Sequence, residues 1–237
     1  MRLSQKIEKL GNAQAFESAR RHFRRSVLAR PFGVRCDPEQ LIKTIDGDRF
    51  EAIRQRHAVA DPGEGWPKYL DLSKWMNENL RRVRDLELDF GRRKRILDIG
   101  CGTGYFLYIC NWLGHDAVGL DIDEVPMYRE MTQLLGLDRI VWRVNPFQRL
   151  PRLEKKFDLI TAFMICFNGH KSPGLWGAEE WEFFLDDLET HLRPGGSICL
   201  GFNREDDGHY YNEELRRFFV ERRAEINRHR VTLFARR

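Results

Sequence analysis

One run constrains this chain more than any other: Ile96-Leu97-Asp98-Ile99-Gly100-Cys101-Gly102-Thr103-Gly104-Tyr105-Phe106. An apolar stretch of strand length passes directly into three glycines at alternate positions and then into a helical pattern. Glycine allows tight turning and lets a ligand approach the main chain closely. The helix that follows offers unpaired N–H groups at its start. Phe106, Leu107, Ile109, Cys110 and Leu113 continue at helical spacing, and Gly114 is placed to end the helix as its C′ residue. A strand, a glycine turn and a helix in this order open an open α/β sheet, and a nucleotide-like ligand is expected at this first crossing.

The rest of the second half fits that beginning. Strands are expected at 117–121, 139–144, 157–163, 197–202 and 230–234, with helices at 127–135, 178–192 and 213–220 between them. The pattern leaves open whether another strand lies between the last helix and residue 230. Residues 157–163 are nearly all apolar, as in a strand covered on both faces. This alternation gives an α/β fold class: a Rossmann-like, doubly wound, mostly parallel sheet. The first half reads differently. Apolar residues at Leu3, Ile7, Leu10, Phe16, Phe23 and Val27 form a helical face over 1–30, with a break at Gly11-Asn12. Asp37-Pro38-Glu39 is an N-cap, a proline in the first turn and an acid beside it, predicting a helix over 38–45. Further helices are expected at 48–58 and 70–85, separated by a loop at 61–67 rich in Gly and Pro. The division expected is a helical N-terminal cap over 1–90 and the sheet domain over 91–237.

Composition bounds the function classes. The 40 Lys and Arg residues against 36 Asp and Glu give a net charge of +4, too small for a dedicated nucleic-acid binder. A local excess does exist, since residues 1–56 hold 13 Lys/Arg and 7 Asp/Glu. The five cysteines, Cys36, Cys101, Cys110, Cys166 and Cys199, are widely spaced and include no C-x-x-C pair. No zinc or other metal site and no disulfide framework is expected from them, and a reducing, cytoplasmic setting is. Residues 1–6 lead into no apolar stretch of a secretory signal, and no run of about eighteen apolar residues marks a membrane span.

The ligand can be narrowed. A dinucleotide fingerprint wants G-x-G-x-x-G, and here Tyr105 stands where its third glycine belongs. Asp98, two residues before the first glycine, would repel a pyrophosphate but suits a ligand with a cationic amino end. Asp121, at the end of the second strand, suits a ribose diol, because a carboxylate can accept from both hydroxyls. From about 95 to 202 the sequence resembles the class I S-adenosylmethionine-dependent methyltransferases, including a bacterial branch with a helical N-terminal cap. Ile96–Gly104 is similar to the family's first motif and Gly119-Leu120-Asp121 to its ribose-binding acid. Phe157-Asp158-Leu159-Ile160 is similar to its fourth strand, and Leu192-Arg193-Pro194-Gly195-Gly196 to the turn before its fifth.

The resemblance implies a set of cofactor contacts. Gly100, Cys101, Gly102 and Gly104 belong to the turn around the methionine and ribose. Asp98 orients the amino end, Asp121 holds the ribose hydroxyls and Ile122 packs on adenine. Where the family often has an acid after strand three, this chain has Asn145-Pro146-Phe147. Asn145 and Phe147 are therefore the adenine candidates, Asn145 through its amide oxygen. Phe163 and Met164 border the amino acid end. Apart from the resemblance, Tyr69 and Trp75 lie just ahead of the sheet domain and either close over the cofactor or only pack the cap onto the sheet.

The loop after strand four, 165–177, faces the transferred methyl in such a fold. His170 is its candidate general base and Asn168 its candidate acceptor-positioning residue. The plain alternative for His170 is a structural or solvent-facing histidine, since methyl transfer from a sulfonium needs mainly in-line positioning. Trp176 is a candidate substrate wall, and Trp176, Trp181 and Phe184 have the alternative of packing beneath the loop. A small-molecule or sugar-like acceptor methylated on O, N or C is favoured over RNA. The RNA reading would use Arg20-Arg21-His22-Phe23-Arg24-Arg25. A non-catalytic S-adenosylmethionine-binding module and an NAD-dependent oxidoreductase are further alternatives, the last disfavoured by Asp98 and Tyr105.

Overall fold

The computed structural model of this protein describes residues 36–58 and 66–235, with Phe23 and Val27. The helical pattern expected over 1–30, its basic run and most of the 61–67 loop lie outside the described residues.

Three helices precede the sheet: α1 (Pro38–Lys43), α2 (Gly47–His57) and α3 (Leu72–Asp85). Each begins at an aspartate whose side chain accepts a main-chain N–H: Asp37 from Glu39, Asp46 from Arg49 and Asp71 from Lys74, all at 3.0 Å. Such caps satisfy donors that the first helical turn leaves open. Trp66 and Pro67, expected in a loop, instead begin a short 3₁₀ helix, Trp66–Leu70.

The sheet domain runs β1 (Arg95–Ile99), α4 (Tyr105–Trp112), β2 (Asp116–Asp121), α5 (Pro126–Leu134), β3 (Arg139–Val141) and β4 (Phe157–Ile165). It continues through α6 (Ala178–Thr190), β5 (Leu192–Phe202), α7 (Glu213–Glu221), β6 (Glu225–Asn227) and β7 (Arg230–Phe234). The seven strands are ordered β3-β2-β1-β4-β5-β7-β6. Pairs from β3 through β5 are parallel, and β7 runs antiparallel to both β5 and β6. This is the Rossmann-like, mostly parallel sheet expected. The differences are local, and β3 stops at Val141 where the pattern ran to Val144. Strand β5 begins at Leu192 rather than Ser197, because Leu192 already pairs with Phe157 before Arg193–Gly196 loops out of register, turning at Gly195 with φ +75°. The three-residue β6 is the strand the pattern left open.

Side chains alternate across the sheet and divide the core. Ile96, Leu159 and Cys199 pack with α1–α5, whereas Leu97, Ile99, Ile160 and Leu200 pack with α6 and α7. Leu41, Met76, Leu80 and Val83 of the helical segment therefore belong to the same apolar cluster as Phe106 and Ile109 of α4. Asp98 lies two residues from Ile96 and so faces the helical segment. The strand order reverses between β1 and β4, which opens a crevice at the carboxyl ends of those two strands.

Candidate cofactor site

A cavity of about 460 Å³ fills that crevice, roofed by the 3₁₀ helix and α3. Its floor is the glycine turn, where Gly100, Gly102 and Gly104 have φ of +72°, +55° and +82°. The three glycines do different work. A Cβ on Gly100 would meet nothing within 4 Å, so its main chain stands open to the cavity. A Cβ on Gly104 would fall 2.4 Å from Leu137 Cδ1, so this residue lets the turn pack on the segment after α5 and does not line the cavity. Cys101 turns its thiol into the core over Gly119, where a Cβ would lie 2.5 Å from Sγ. Burial raises that thiol's pKa well above the ordinary range, and the nearby Asp121 and Asp98 add to the effect, so it is a packing group with no thiolate character.

Asp121 ends β2 at the cavity. Its Oδ2 accepts the Gly102 N–H at 2.6 Å and its Oδ1 the Ile122 N–H at 2.7 Å. Burial raises its pKa, and those two N–H bonds and Arg139 oppose the rise. Each carboxylate oxygen keeps a further lone pair for a hydroxyl. Asn145 lines the cavity and gives its Nδ2 to Gln148 Oε1 at 2.7 Å, which leaves Oδ1 as an acceptor.

Asp98 is 3% exposed and accepts the Thr161 hydroxyl at 2.6 Å. Burial pushes its pKa up to about 7, against the opposing effects of Thr161 and Arg82. Phe163 stands edge-on to Phe106, with ring centroids 5.2 Å apart, and Met164 follows in the left-handed region at φ +54° beside a register shift in β4. Tyr69 packs on Trp75 at 4.7 Å and on Tyr128 at 6.0 Å between ring centroids. Asp98, Gly100, Cys101, Gly102, Asp121, Ile122, Asn145, Phe163, Met164 and Tyr69 thus all line one cavity.

Four expected site residues do not line it. Gly104 is described above. Phe147 is 54% exposed and places its ring edge-on to Phe183 at 5.9 Å. Asn168 is buried, and its Oδ1 has no hydrogen-bond partner among the described residues. His170 pairs through Nδ1 with Glu205 Oε1 at 2.8 Å, while the second oxygen of Glu205 accepts the Lys171 N–H at 2.8 Å. Gly169, between the last two, does reach the cavity. Trp176 is 4% exposed in a cluster with Phe167, Trp181 and Phe184, so packing beneath the loop is what it does.

Trp75, Asn79 and Arg82 form one stripe of α3 at helical spacing that lines the cavity opposite Asp98; sequence reasoning offered Trp75 as a residue closing over the cofactor and missed Asn79 and Arg82. The available signal was polar residues on an otherwise apolar helix face. Among the described residues there is no cluster of three or more His, Cys, Asp or Glu placed to hold a metal, and no helix long and apolar enough to cross a membrane.

The donor set fits S-adenosylmethionine. It offers an acid with free lone pairs at the end of β2, an amide oxygen beyond β3, an open glycine turn and a buried acid at the end of β1. Residues 72–230 match a family described as a methyltransferase domain, and the chain belongs to that family. With this sheet order and site it is a class I, S-adenosylmethionine-dependent methyltransferase domain. The match begins at the first residue of α3. The chain is 26% identical over 193 residues to the secondary metabolism regulator laeA of Coprinopsis cinerea, covering 76% of this chain and 44% of that protein. It is 28% identical over 116 residues to the tRNA U34 carboxymethyltransferase of Idiomarina loihiensis, covering 45% and 32%. It is 27% identical over 182 residues to the ubiquinone biosynthesis O-methyltransferase of Chelativorans sp., covering 69% and 64%. The chain spans from about a third to just under two thirds of the length of these relatives.

Proposed function

We propose that this protein transfers the methyl group of S-adenosylmethionine to an O, N or C nucleophile of a small-molecule or sugar-like acceptor, in a reducing, cytoplasmic setting that keeps its five cysteines as thiols. The observation that carries this reading is the shape and lining of the cavity. Its volume of about 460 Å³ is that of a small-molecule site, which typically spans ~300–1,000 Å³. Aromatic side chains, Tyr69, Trp75, Tyr128, Phe163 and Phe167 among them, stand in its walls, where a groove for a nucleic-acid backbone would present a basic stripe.

When bound, the cofactor would supply a sulfonium methyl to an in-line nucleophile, the S–CH3 bond breaking as the bond to the acceptor forms and S-adenosylhomocysteine leaving as a neutral thioether. The protein's part is positioning and exclusion of water. Asp121 accepts the ribose hydroxyls, and its bonds to Gly102 and Ile122 fix its direction. Asn145 Oδ1 accepts from the adenine amino group, and Ile122 packs on the ring. Asp98 receives the amino end. Gly100 and Gly102 bring the main chain close, and Phe163, Met164 and Tyr69 wall the reactive end. His170, held by Glu205, is the candidate base for an acceptor that must lose a proton, and Asn168 the candidate residue that positions it. Residues 1–90 act as a cap on the cofactor cleft of the 91–237 domain.

The likeness to a tRNA-modifying enzyme favours RNA as the second reading of the acceptor. A screen with methyl-labelled cofactor separates the two. Label transfer to hydroxylated or amine-bearing small molecules supports the first reading. Label in RNA, with binding that falls steeply as salt rises, replaces it with the second. Cofactor binding with no transfer to any acceptor leaves a binding module.

A further inference from the structure

The edge of the sheet away from the cofactor crevice, where the strands begin, carries a groove of its own. Two hollows of about 490 and 300 Å³ share Arg95, Asp116 and Asp138, and so run together along the starts of β1 to β4. The larger is cationic. Arg93, Lys94 and Arg95 enter it from the chain leading into β1, and Arg193 from the start of β5. The smaller has an apolar floor of Val118, Ile140, Leu153 and Phe157, with the exposed Arg152 and Lys155 beside it. The 9 residues of β4, roughly 26 Å of strand, separate this groove from the cofactor cavity.

Acids within the groove cancel only part of its charge. Asp158 is buried and answers two guanidiniums at once, Arg92 at 3.2 Å and Arg193 at 3.1 Å. Asp116 is taken by Arg95 at 2.7 Å. Arg93, Arg152 and Lys155 line the groove with no ion pair among the described residues. The acids outside these pairs are Asp138, where the hollows meet, and Glu154, in the smaller one.

Cations gathered on one edge repel one another, and an anion bound among them relieves that cost. Phosphate is an anion that guanidinium forks match in shape. The apolar floor beside the cations suits a flat ring, and Asp138 between the two can accept from a ribose hydroxyl or a base amino group. An anionic membrane surface has no use for a recess, and an acidic peptide has none for such a floor.

We propose that this groove is a second binding site, for a nucleoside phosphate that is either free or a unit of an RNA strand, with the phosphates at Arg93, Lys94 and Arg193 and the base over Val118, Ile140 and Leu153. The site is separate from methyl transfer and stands whichever acceptor the cofactor cavity serves.

The test titrates the full chain, saturated with S-adenosylhomocysteine so that the cofactor cavity is filled, with the four ribonucleoside triphosphates, inorganic pyrophosphate and a short single-stranded RNA. At least one triphosphate should bind about 10-fold or more tightly than pyrophosphate, because the base adds its contact with the floor. RNA binding above every free nucleotide assigns the strand as the source, and the reverse order assigns the free nucleotide. Arg93→Gln combined with Arg193→Gln should weaken nucleotide binding by about 10-fold or more and leave S-adenosylhomocysteine affinity unchanged, which also reports that the variant is folded. Pyrophosphate binding as tightly as every triphosphate overturns the nucleotide assignment without any variant. Absence of binding up to ~1 mM overturns it too, and capture by phosphatidylserine vesicles in that case assigns the face to a membrane. Unchanged nucleotide affinity in the double variant overturns the location.

Discussion

Asp121 Oδ2 accepts the main-chain N–H of Gly102 at 2.6 Å, which ties the end of β2 to the glycine turn after β1. The proposed ribose acid and the turn are therefore one unit, and removing the carboxylate acts twice: the ribose loses its acceptor and the Gly102 N–H loses its partner. Asp121→Ala should weaken S-adenosylhomocysteine binding by about 1–3 kcal/mol, the usual loss for hydrogen bonds to a charged group. Asp121→Asn keeps an oxygen that can accept the Gly102 N–H and should cost less than Asp121→Ala. Calorimetry on both variants checks this, and unchanged affinity in Asp121→Ala would remove the ribose role.

Asp98 makes a prediction about pH. Burial raises its pKa to about 7 from an ordinary value of 3.8, so between those limits the folded protein holds a proton that the unfolded chain releases. With more protons bound in the folded state, this group's contribution to stability falls as pH rises through that window. Asp98→Asn removes the ionisation and keeps an acceptor for Thr161. The ligand-free variant should therefore melt several degrees above wild type at pH 8, with a smaller advantage at pH 5. Binding should move the opposite way. Wild type should bind S-adenosylhomocysteine more weakly as pH falls from 8 to 6, because a neutral Asp98 no longer attracts the ammonium, and Asp98→Asn should flatten that dependence. A variant less stable than wild type at pH 8 would contradict the account.

The sheet was legible because its signals are local. Apolar runs, Gly114 and Gly136 as helix ends with φ of +85° and +62°, and the glycine turn each announce themselves within a few residues. The cofactor candidates at strand ends were legible for the same reason, since the topology brings those ends together. Residues whose placement depends on tertiary packing were not. Arg82 and Asn79 sit on the buried stripe of α3, and a period built on apolar residues passes over polar ones there. Phe147 was expected at adenine, but its φ of +56° and its contact with Phe183 set its ring on the surface. Glu205 meets His170 across 35 positions of sequence, a pairing that no spacing reveals.

Gly119 should be intolerant of a side chain. A Cβ there would stand 2.5 Å from Cys101 Sγ and 2.8 Å from Leu107 Cδ1, inside the core beneath the glycine turn. Overpacking of this kind typically costs ~1–3 kcal/mol, and Gly119→Ala should lower the melting temperature and cofactor affinity together by pushing Cys101 toward the cavity. Cys101→Ala removes the sulfur from that contact. The double variant should recover part of both losses, a coupling that a double-mutant cycle measures directly. Strictly additive losses would show that the two residues do not compete for this space.

His170 and Glu205 form a pair beside the cavity, with Nδ1 held at 2.8 Å and both side chains largely covered, at 15% and 14% exposure. A carboxylate on Nδ1 fixes the ring and favours the tautomer with a free acceptor at Nε2, the arrangement of an oriented base. Because neither side chain lines the cofactor cavity, His170→Ala and Glu205→Gln should both leave S-adenosylhomocysteine affinity unchanged. With an acceptor that must lose a proton, His170→Ala should lower kcat by about 10²-fold or more, the usual scale of general-base catalysis. Glu205→Gln should lower kcat less. An acceptor that is already nucleophilic makes no such demand, so the measurement belongs with a hydroxyl acceptor. Full turnover of such an acceptor by His170→Ala would leave the pair as a brace for the loop at 165–177.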